Sequence, residues 1–426
     1  MTVELKRMPP GPAAKYEKTQ DLLEWMNEQF SRFGDIYRAS VFGTEVYVIN
    51  DPQYVDQVLR SNWHNYTKGL AIKRIRVLLG NGLMVSEAAS WKAQRQMIQP
   101  AFHHEMTSAL TDVISAANLV LLDKWRRAAR DRVSVNITRD VSDMILKVGL
   151  TSIFGDDYDQ VAPHFQLLFD ESARNLRFAE AFRPVRKVVL DVATRRRERK
   201  STGDILSILA LARDRISGQP MADNQLVNEI ITLVVAGHET TASTVNWVWY
   251  LLSRHPKVED KLLTELNTIS GEGLPGVADM AKLCYTRHVL DETLRLYPPG
   301  WLMTRKAIKD DQFGQYYVPG GTEVYISPYL IQRHPAIWDS PEQFDPDRFE
   351  AARSRERHPM TMLPFSAGPR RCIGEALARI EMQMHLVIIA RHLRLRCNDT
   401  QRVQLETGVN LRNKYDFMMA PEIRHP

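Results

Sequence analysis

Apolar residues are most concentrated between residues 223 and 255, where they recur with the spacing of a helix that is buried on several sides. Asp223 or Asn224 can cap the start of this helix, because short polar side chains accept hydrogen bonds from the first free backbone N–H groups. Pro256 marks its end. The pattern therefore predicts one long, largely buried helix.

The rest of the pattern predicts many helices and little sheet. Apolar and β-branched residues at 36–40 and 45–49 flank Gly43-Thr44, which predicts a hairpin. Helical spacing then dominates from residue 53 to residue 298, and a short strand is expected at 323–326. We therefore expect a mainly α fold of the α+β class, in which a large helical domain carries a small β-rich region.

The composition is typical of one globular domain. The 426 residues are 44% hydrophobic and 25% charged, and neither a flexible linker nor an internal repeat divides them. We expect a single domain over residues 1–426. The three cysteines, Cys284, Cys372 and Cys397, do not suffice for a disulfide framework, which predicts a reducing, cytoplasmic location.

Patterns typical of membrane insertion or nucleic-acid binding are absent from the sequence. Residues 1–12 are polar and proline-rich, so we expect neither a signal peptide nor an anchor. Gly237-His238-Glu239 interrupts the long apolar segment, so we expect no membrane span. The net charge is +5, but the basic residues are spread out and lack aromatic interleaving, which argues against nucleic acid as a partner. The basic cluster at residues 195–200 is interpreted as a solvated helix end.

Cys372 carries the most informative chemistry in the chain. It lies in a turn rich in glycine and proline, directly before a helical pattern. Arg370, Arg371 and the free N–H groups at the start of that helix all favour its thiolate form. No histidine or Asn/Asp side chain stands nearby in the sequence to form a nucleophile pair. The thiolate is therefore interpreted as a metal ligand.

The centre of the long helix is the second polar site. Glu239 and Thr240 interrupt an apolar segment, where an unpaired carboxylate would be costly to bury. The Thr240 hydroxyl can donate to the Ala236 carbonyl four residues earlier, which tends to bend or open a helix. His238-Glu239 also begins the zinc motif H-E-x-x-H, but Ala242 stands where the second histidine would be needed.

Phe365, Gly368, Arg370, Cys372 and Gly374 form the pattern F-x-x-G-x-R-x-C-x-G. This pattern resembles the haem-binding signature of the cytochrome P450 family, the haem-thiolate monooxygenases. The resemblance implies that Cys372 is the proximal iron ligand of haem b. It also implies that Phe365 shields the sulfur from water and that Arg370 reaches a haem propionate.

The long helix also resembles this family, whose motif there is A-G-x-[DE]-T-T. The resemblance makes Ala236 a haem contact, and it makes Glu239 and Thr240 the acid–alcohol pair that delivers protons during oxygen activation. Trp91 and Arg95 resemble the family's W-x-x-x-R pair over the haem. Together with Arg305, they are expected to bind the haem propionates.

A third stretch is similar to the family's structural triad. Glu292 and Arg295 match E-x-x-R, and Arg348 lies in a segment similar to P-E-R-F, in which Asp347 replaces the commoner glutamate. The resemblance assigns Glu292, Arg295 and Arg348 to a scaffold behind the haem loop.

By position in the family, the substrate pocket is expected to be lined by apolar side chains. The predicted lining residues are Leu70, Phe178, Phe182, Trp301, Leu302, Met303 and Val409. Such a set favours a lipophilic small molecule of terpenoid, polyketide or fatty-acyl type.

The resemblance implies insertion of one atom of O2 by hydroxylation or epoxidation. The chain contains no iron–sulfur or dinucleotide-binding motif, so a separate electron donor is expected, such as a ferredoxin or flavodoxin with its reductase. The basic residues Lys92, Arg95, Arg370, Arg371 and Arg379 would steer an acidic donor. The alternatives are aromatic coupling or peroxide use on the same fold, or a non-catalytic haem sensor or carrier.

Overall fold

A computed structural model describes residues 7–11, 15–17, 20–169, 178–199, 203–269 and 276–424. The α-helices of this part of the chain are α1 (Leu22–Phe33), α2 (Pro52–Asp56), α3 (Leu70–Leu79), α4 (Ala88–Ile98), α5 (His104–Ala109), α6 (Thr111–Arg130), α7 (Ile137–Phe154), α8 (Tyr158–Phe169), α9 (Phe178–Arg199), α10 (Ile205–Leu211), α11 (Asp223–Arg254), α12 (Pro256–Leu266), α13 (Val277–Met280), α14 (Cys284–Leu296), α15 (Pro328–Ile331), α16 (Ala351–Ser354) and α17 (Glu375–Ala390).

The strands of the described residues are short. They are β1 (Lys15–Tyr16), β2 (Ile36–Val41), β3 (Thr44–Ile49), β4 (Tyr66–Lys68), β5 (Val135–Asn136), β6 (Met303–Ala307), β7 (Asp311–Phe313), β8 (Tyr316–Val318), β9 (Glu323–Ile326), β10 (Leu393–Cys397), β11 (Leu405–Thr407), β12 (Leu411–Asn413) and β13 (Met418–Ile423). Helices therefore dominate a minor β component, which confirms the predicted fold class.

The chain divides into two compact units. The first unit comprises Met1–Arg74, His288–Cys372 and Arg402–Tyr415, and the second comprises Ile75–Arg287, Ile373–Gln401 and Asp416–Pro426. The single domain predicted over residues 1–426 stays a prediction.

The first unit is built around a six-stranded sheet in the order β1-β2-β3-β9-β6-β4. The predicted hairpin forms its β2–β3 pair, with Ile36 opposite Ile49 and Val41 opposite Thr44. Phe42 and Gly43, with φ of 50° and 77°, form the turn, so the tight hairpin uses left-handed backbone at both positions. The predicted strand at 323–326 is β9, which pairs with β3 and β6.

The second unit is mainly helical. Its longest helix, α11, packs against α7, and α6 packs against both α7 and α17. A small sheet in the order β10-β13-β5 lies in the same unit. Within the described residues, no helix is long and apolar enough to cross a bilayer.

The long helix has the predicted extent but a different first turn. Ala222, with extended backbone, is its N-cap, so the prediction that Asp223 or Asn224 caps the helix is wrong. Asp223 lies inside the first turn instead, where its negative charge interacts favourably with the helix dipole.

The interpretation of the basic cluster at residues 195–200 as a solvated helix end is wrong for Arg196. Its side chain is buried and bridges Asp157 (2.8 Å) and Asp204 (3.0 Å). It also donates to the Phe154 carbonyl at 2.9 Å. Burial is possible because two carboxylates and a carbonyl replace the water around the guanidinium. The end of α9 is therefore joined to the ends of α7 and α10.

Candidate functional site

Residues 363–372 of the first unit form a closely folded loop that ends at Cys372. The Cys372 N–H donates to the Phe365 carbonyl at 2.9 Å, and the Ser366 N–H donates to the Leu363 carbonyl at 3.1 Å. Ser366 has a left-handed backbone with φ of 62°. These turns leave the Cys372 side chain exposed rather than packed in the core. We call residues 363–372 the thiolate loop.

Gly368 is the position at which the thiolate loop can accept no larger residue. Its φ is +71°, and a Cβ atom built there would lie 1.9 Å from the Leu59 carbonyl oxygen. Leu59 belongs to a π-helical turn, Gln57–Ser61, that continues α2. Only glycine permits both the backbone angle and this close approach.

Arg370 is held by the first unit's own residues. Its Nη1 atom donates to the Tyr66 carbonyl at 2.8 Å, and its guanidinium lies 5.5 Å from the centre of the Trp63 ring. The Tyr66 hydroxyl donates to Asp311 at 2.6 Å. Burial, together with this hydrogen bond to Asp311, raises the pKa of Tyr66, so the hydroxyl remains a donor. Arg370 therefore has a fixed place beside the thiolate loop.

Arg305 lies on β6 and is buried, with its Nη1 donating to the Thr304 carbonyl at 2.9 Å. A buried cation of this kind matches the expected contact with an acidic cofactor group. Trp91 and Arg95 lie one turn apart on α4 of the second unit, where Trp91 is buried and Arg95 is half-buried. Gly374 is the N-cap of α17, also in the second unit.

Glu292, Arg295 and Arg348 meet in the first unit. Glu292 binds the Arg295 guanidinium through both oxygens, at 2.6 and 2.8 Å, and its Oε1 also accepts from Arg348 at 2.8 Å. All three side chains are buried, at 0%, 0% and 3% exposure. Arg295 additionally donates to the Pro341 and Gln343 carbonyls. One carboxylate therefore joins the end of α14 to the irregular segment 339–348.

The centre of α11 has the predicted hydrogen bond. The Thr240 hydroxyl donates to the Ala236 carbonyl at 2.7 Å, and Thr244 repeats the pattern with the Thr240 carbonyl at 3.0 Å. The helix remains continuous through this turn. Ala236, Gly237, Glu239 and Thr240 are partly or fully accessible, whereas every residue from 241 to 249 is buried. The acid–alcohol pair therefore lies on an accessible stretch of an otherwise buried helix.

The His238 side chain lies against α7, and no sequence pattern identifies its partner there. Its Nε2 lies 2.9 Å from the Ser142 hydroxyl and 3.0 Å from the Ser142 carbonyl on α7. Burial lowers the pKa of His238, so the neutral ring is favoured. Because 96 residues separate the two partners, neither periodicity nor a local motif could identify the pair. The contacts of His238 with Ser142 therefore link α11 to α7.

The predicted pocket residues have different environments. Leu70, Leu302 and Met303 are half-buried, and Val409 is 63% exposed. Trp301 is buried in an apolar cluster, and its Nε1 donates to the Gly408 carbonyl at 3.2 Å. The side chains of Phe178 and Phe182 lie outside the described part of the structure. A role in substrate binding stays a prediction for all of them.

The residues present fit a haem whose iron is bound by one thiolate. The thiolate loop offers an accessible sulfur atom, and its glycine permits a close backbone approach. Arg305 and Arg370 supply guanidinium groups that match carboxylate propionates. The fold and this loop define a haem-thiolate protein.

Comparison with known proteins agrees with this class. The family model described as cytochrome P450 matches residues 10–184 and 177–419. The chain is 31% identical to cyclooctat-9-en-7-ol 5-monooxygenase of Streptomyces melanosporofaciens, over 85% of this chain and 83% of that protein. It is 29% identical to pentalenene oxygenase of Streptomyces avermitilis, over 86% and 85% of the two chains. The crystal structure of the cytochrome P450DA heme domain matches with a TM-score of 0.87 and 23% identity, covering 98% of this chain and 97% of that chain.

The chain belongs to the cytochrome P450 family. It is accordingly an oxidoreductase of the P450 monooxygenase type, with the haem-thiolate cofactor of that family.

Proposed function

We propose that this protein uses haem b to insert one atom of O2 into a lipophilic small molecule, by hydroxylation or epoxidation. The observation that carries the proposal is Cys372, which lies in the family's complete ten-residue pattern at residues 365–374 and is exposed. A Cys thiolate of this kind favours O–O cleavage at the haem iron when haem is bound. Haem supplies the oxidation chemistry, and the protein supplies binding, orientation and protons.

In this proposal, the cofactor is held mainly by its sulfur ligand and by arginines. Cys372 is the iron ligand, and Phe365 and Gly374 flank it in the sequence. Arg305 and Arg370 bind propionates, and Trp91 and Arg95 contribute from α4. Ala236, whose side chain is small, would contact the cofactor. The hydrogen bonds of buried Arg305 and half-buried Arg370 support this role, because their guanidinium groups are already oriented.

Protons would be supplied by Glu239 and Thr240. The Thr240 hydroxyl is oriented by its bond to the Ala236 carbonyl, so its oxygen can accept a hydrogen bond from a neighbouring acid or water. Glu239 adjoins it on the accessible part of α11, so its carboxyl group can exchange protons with solvent. General acid catalysis by such a pair is typically worth about 10²–10⁴-fold in rate.

For the substrate, we propose the terpenoid class. Two relatives, which are 31% and 29% identical to this chain, bear names that specify cyclooctat-9-en-7-ol and pentalenene as substrates. The half-buried apolar residues Leu70, Leu302 and Met303 are compatible with a substrate of this kind.

Electrons would come from a separate protein, such as a ferredoxin or flavodoxin with its reductase. The proposed location of the protein is the cytoplasm. The exposed Arg371 beside Cys372 favours an acidic donor. Arg379 contributes less to such a surface, because it pairs with Glu375 at 3.2 Å.

The substrate proposal is tested by a spin-state titration of the haem-loaded protein. A cyclic terpene alcohol should shift the Soret band of the ferric, haem-loaded protein to shorter wavelength, and turnover with ferredoxin and reductase should yield a product that is one oxygen atom heavier. A fatty acid of equal carbon number is the matched comparison. A response to the fatty acid alone, or turnover only with peroxide, would contradict the proposal.

A further inference from the structure

The side chain of Gln332 joins two segments of the first unit that are far apart in the sequence. Gln332 follows α15 and is 0% exposed. Its Nε2 donates to the Leu294 and Arg295 carbonyls at 2.9 and 3.0 Å, and its Oε1 accepts from the Leu363 N–H at 2.8 Å. A backbone N–H only donates and carbonyls only accept, so the orientation of the amide is fixed. Both of its N–H groups and its oxygen are used.

One end of this bridge is the last turn of α14. The carbonyls of the final turn of a helix have no partner within the helix, and the Gln332 amide satisfies two of them. A second hydrogen bond joins the same two residues, since Arg295 Nη1 donates to the backbone carbonyl of Gln332 at 2.8 Å. Gln332 is therefore bound to the helix end through both its side chain and its backbone.

The other end of the bridge is the first residue of the thiolate loop. Leu363 is 2% exposed, so water does not replace the partner of its N–H. Its carbonyl accepts from Ser366, and the Phe365 carbonyl accepts from Cys372. The Gln332 amide thus holds the first residue of the loop, and two backbone hydrogen bonds within the loop order the residues from there to Cys372.

The neighbouring triad does not make this connection. Within the described part of the chain, the side-chain hydrogen bonds of Glu292, Arg295 and Arg348 reach one another, the Gln332 carbonyl and segment 339–348. None of them reaches residues 363–372. The triad therefore orders the irregular segment, whereas Gln332 connects α14 to the loop.

We propose that Gln332 is the positioning residue of the thiolate loop: through the Leu363 N–H it sets where Cys372 presents its sulfur to the haem iron. The proposal rests on the proposed role of Cys372 as iron ligand. Without the amide, the buried Leu363 N–H would lose its acceptor, and the loop would move to find another. In a displaced loop the Cys372 sulfur would bind iron less strongly, and protonation of that sulfur would be favoured.

The test is Gln332→Met in the haem-loaded full chain, since methionine has nearly the shape of glutamine without its polar atoms. The reduced carbon monoxide complex is recorded, together with the haem reduction potential and the thermal midpoint. We expect the variant to bind haem, but to lose most of the red-shifted Soret band typical of thiolate ligation in favour of a band at shorter wavelength. We also expect its reduction potential to rise.

Ser327→Ala is the matched control. Ser327 is also 0% exposed and lies on the same segment, but its hydroxyl donates to the Trp301 carbonyl and not to the loop. We expect Ser327→Ala to lower the thermal midpoint while keeping the thiolate band. An unchanged band in Gln332→Met, at a midpoint no higher than that of the control, would overturn the proposal.

Gln332→Glu tests the positioning role of Gln332 if the methionine variant does not fold. Glutamate keeps an oxygen that can accept from Leu363 but cannot satisfy both carbonyls of α14, so we expect lower stability with the thiolate band retained. Loss of the band in Gln332→Glu beyond that in Ser327→Ala would overturn the proposal. Absence of the thiolate band from the unsubstituted protein would instead overturn the proposed role of Cys372.

Discussion

Thr240 is the residue whose hydroxyl we propose to take part in proton delivery. Its hydroxyl is fixed by the Ala236 carbonyl on an accessible part of a buried helix. In Thr240→Ala we expect haem binding to survive, because the residue is not an iron ligand. Product per electron consumed should fall by about 10²-fold or more as oxygen is released as peroxide. The measurement is the ratio of product and hydrogen peroxide formed to reductant consumed.

Thr240→Ser is the matched control, since serine keeps the hydroxyl and can form the same bond. We expect it to retain most of the coupling between reductant and product. If Thr240→Ala were as tightly coupled as the unsubstituted protein, the proton role of Thr240 would be excluded.

Glu292 tests the buried triad. It is the one carboxylate shared by Arg295 and Arg348, and its side chain is fully buried. Glu292→Gln would leave two buried guanidinium groups facing a neutral amide, which we expect to lower the free energy of unfolding by about 3–5 kcal/mol. Urea denaturation of the haem-loaded protein measures this change.

Glu342→Gln provides the comparison, because Glu342 is 71% exposed and pairs with Arg333 at 3.2 Å. We expect an effect of about 0–1 kcal/mol there. Equal effects of the two substitutions would show that the triad is no more important for stability than a surface pair.

Helix α17 contains two buried titratable groups one turn apart. Burial raises the pKa of Glu381 from 4.5 to about 8 and lowers the pKa of His385 from 6.5 to about 3. His385 is held neutral, with its ring nitrogens 2.8 Å from Trp249 Nε1 and 2.7 Å from Asn118 Oδ1. The folded helix therefore favours a protonated acid and an unprotonated histidine.

These shifts predict how stability depends on pH. Between pH 6.5 and 8, His385 is unprotonated in both states, whereas Glu381 keeps its proton only in the folded state. The unfolded chain then binds fewer protons, so Glu381 lowers the free energy of unfolding by about 1.4 kcal/mol per pH unit as pH rises. Below pH 6.5 the unfolded chain protonates His385 and the folded chain does not, so His385 reduces stability as pH falls.

Glu381→Gln should flatten the decline between pH 6.5 and 8, as measured by urea denaturation at several pH values. Glu375→Gln on the same helix is the control, because Glu375 is only half-buried and pairs with Arg379. A decline that persists unchanged in Glu381→Gln would show that Glu381 is not its cause.

The sequence predicted elements well where the signal is local. The β2–β3 hairpin and the extent of α11 follow from alternation, helical period and turn residues. The π-helical turn Gln57–Ser61 could not be predicted, because its own residues have no pattern for it and the glycine that its Leu59 carbonyl approaches, Gly368, is distant in the sequence. Arg196 was misinterpreted for a related reason, since its partners Asp157 and Asp204 become neighbours only after folding.

The protein has a net charge of +5, which favours association with acidic proteins. If a ferredoxin docks near Cys372, Arg371→Glu should slow its electron transfer to the protein by about tenfold at low salt. The difference should diminish at high ionic strength, because exposed charges are screened. Stopped-flow reduction under carbon monoxide measures the rate.

Arg215→Glu is the control for net charge, because Arg215 is also exposed but belongs to the second unit, far from Cys372 in the sequence. Equal slowing by both substitutions would indicate a general charge effect, and no slowing by Arg371→Glu would exclude this docking surface.

The candidate site was predictable as far as it is encoded in short motifs. The thiolate loop, the centre of α11 and the triad each have a recognisable pattern, and the triad side chains do meet in the structure. Gln332 and the His238–Ser142 pair had no such pattern, because each connects residues that are more than thirty positions apart. Side chains that contact a motif but lie far from it in the sequence are therefore identified only from the folded structure.

The reduced carbon monoxide spectrum shows whether the Cys372 thiolate binds haem iron. The unsubstituted protein should show the red-shifted Soret band typical of thiolate-bound haem, and Cys372→Ser should lose it. Cys284→Ser, which removes another exposed cysteine, should leave the band unchanged. A red-shifted band that persists in Cys372→Ser would contradict the account.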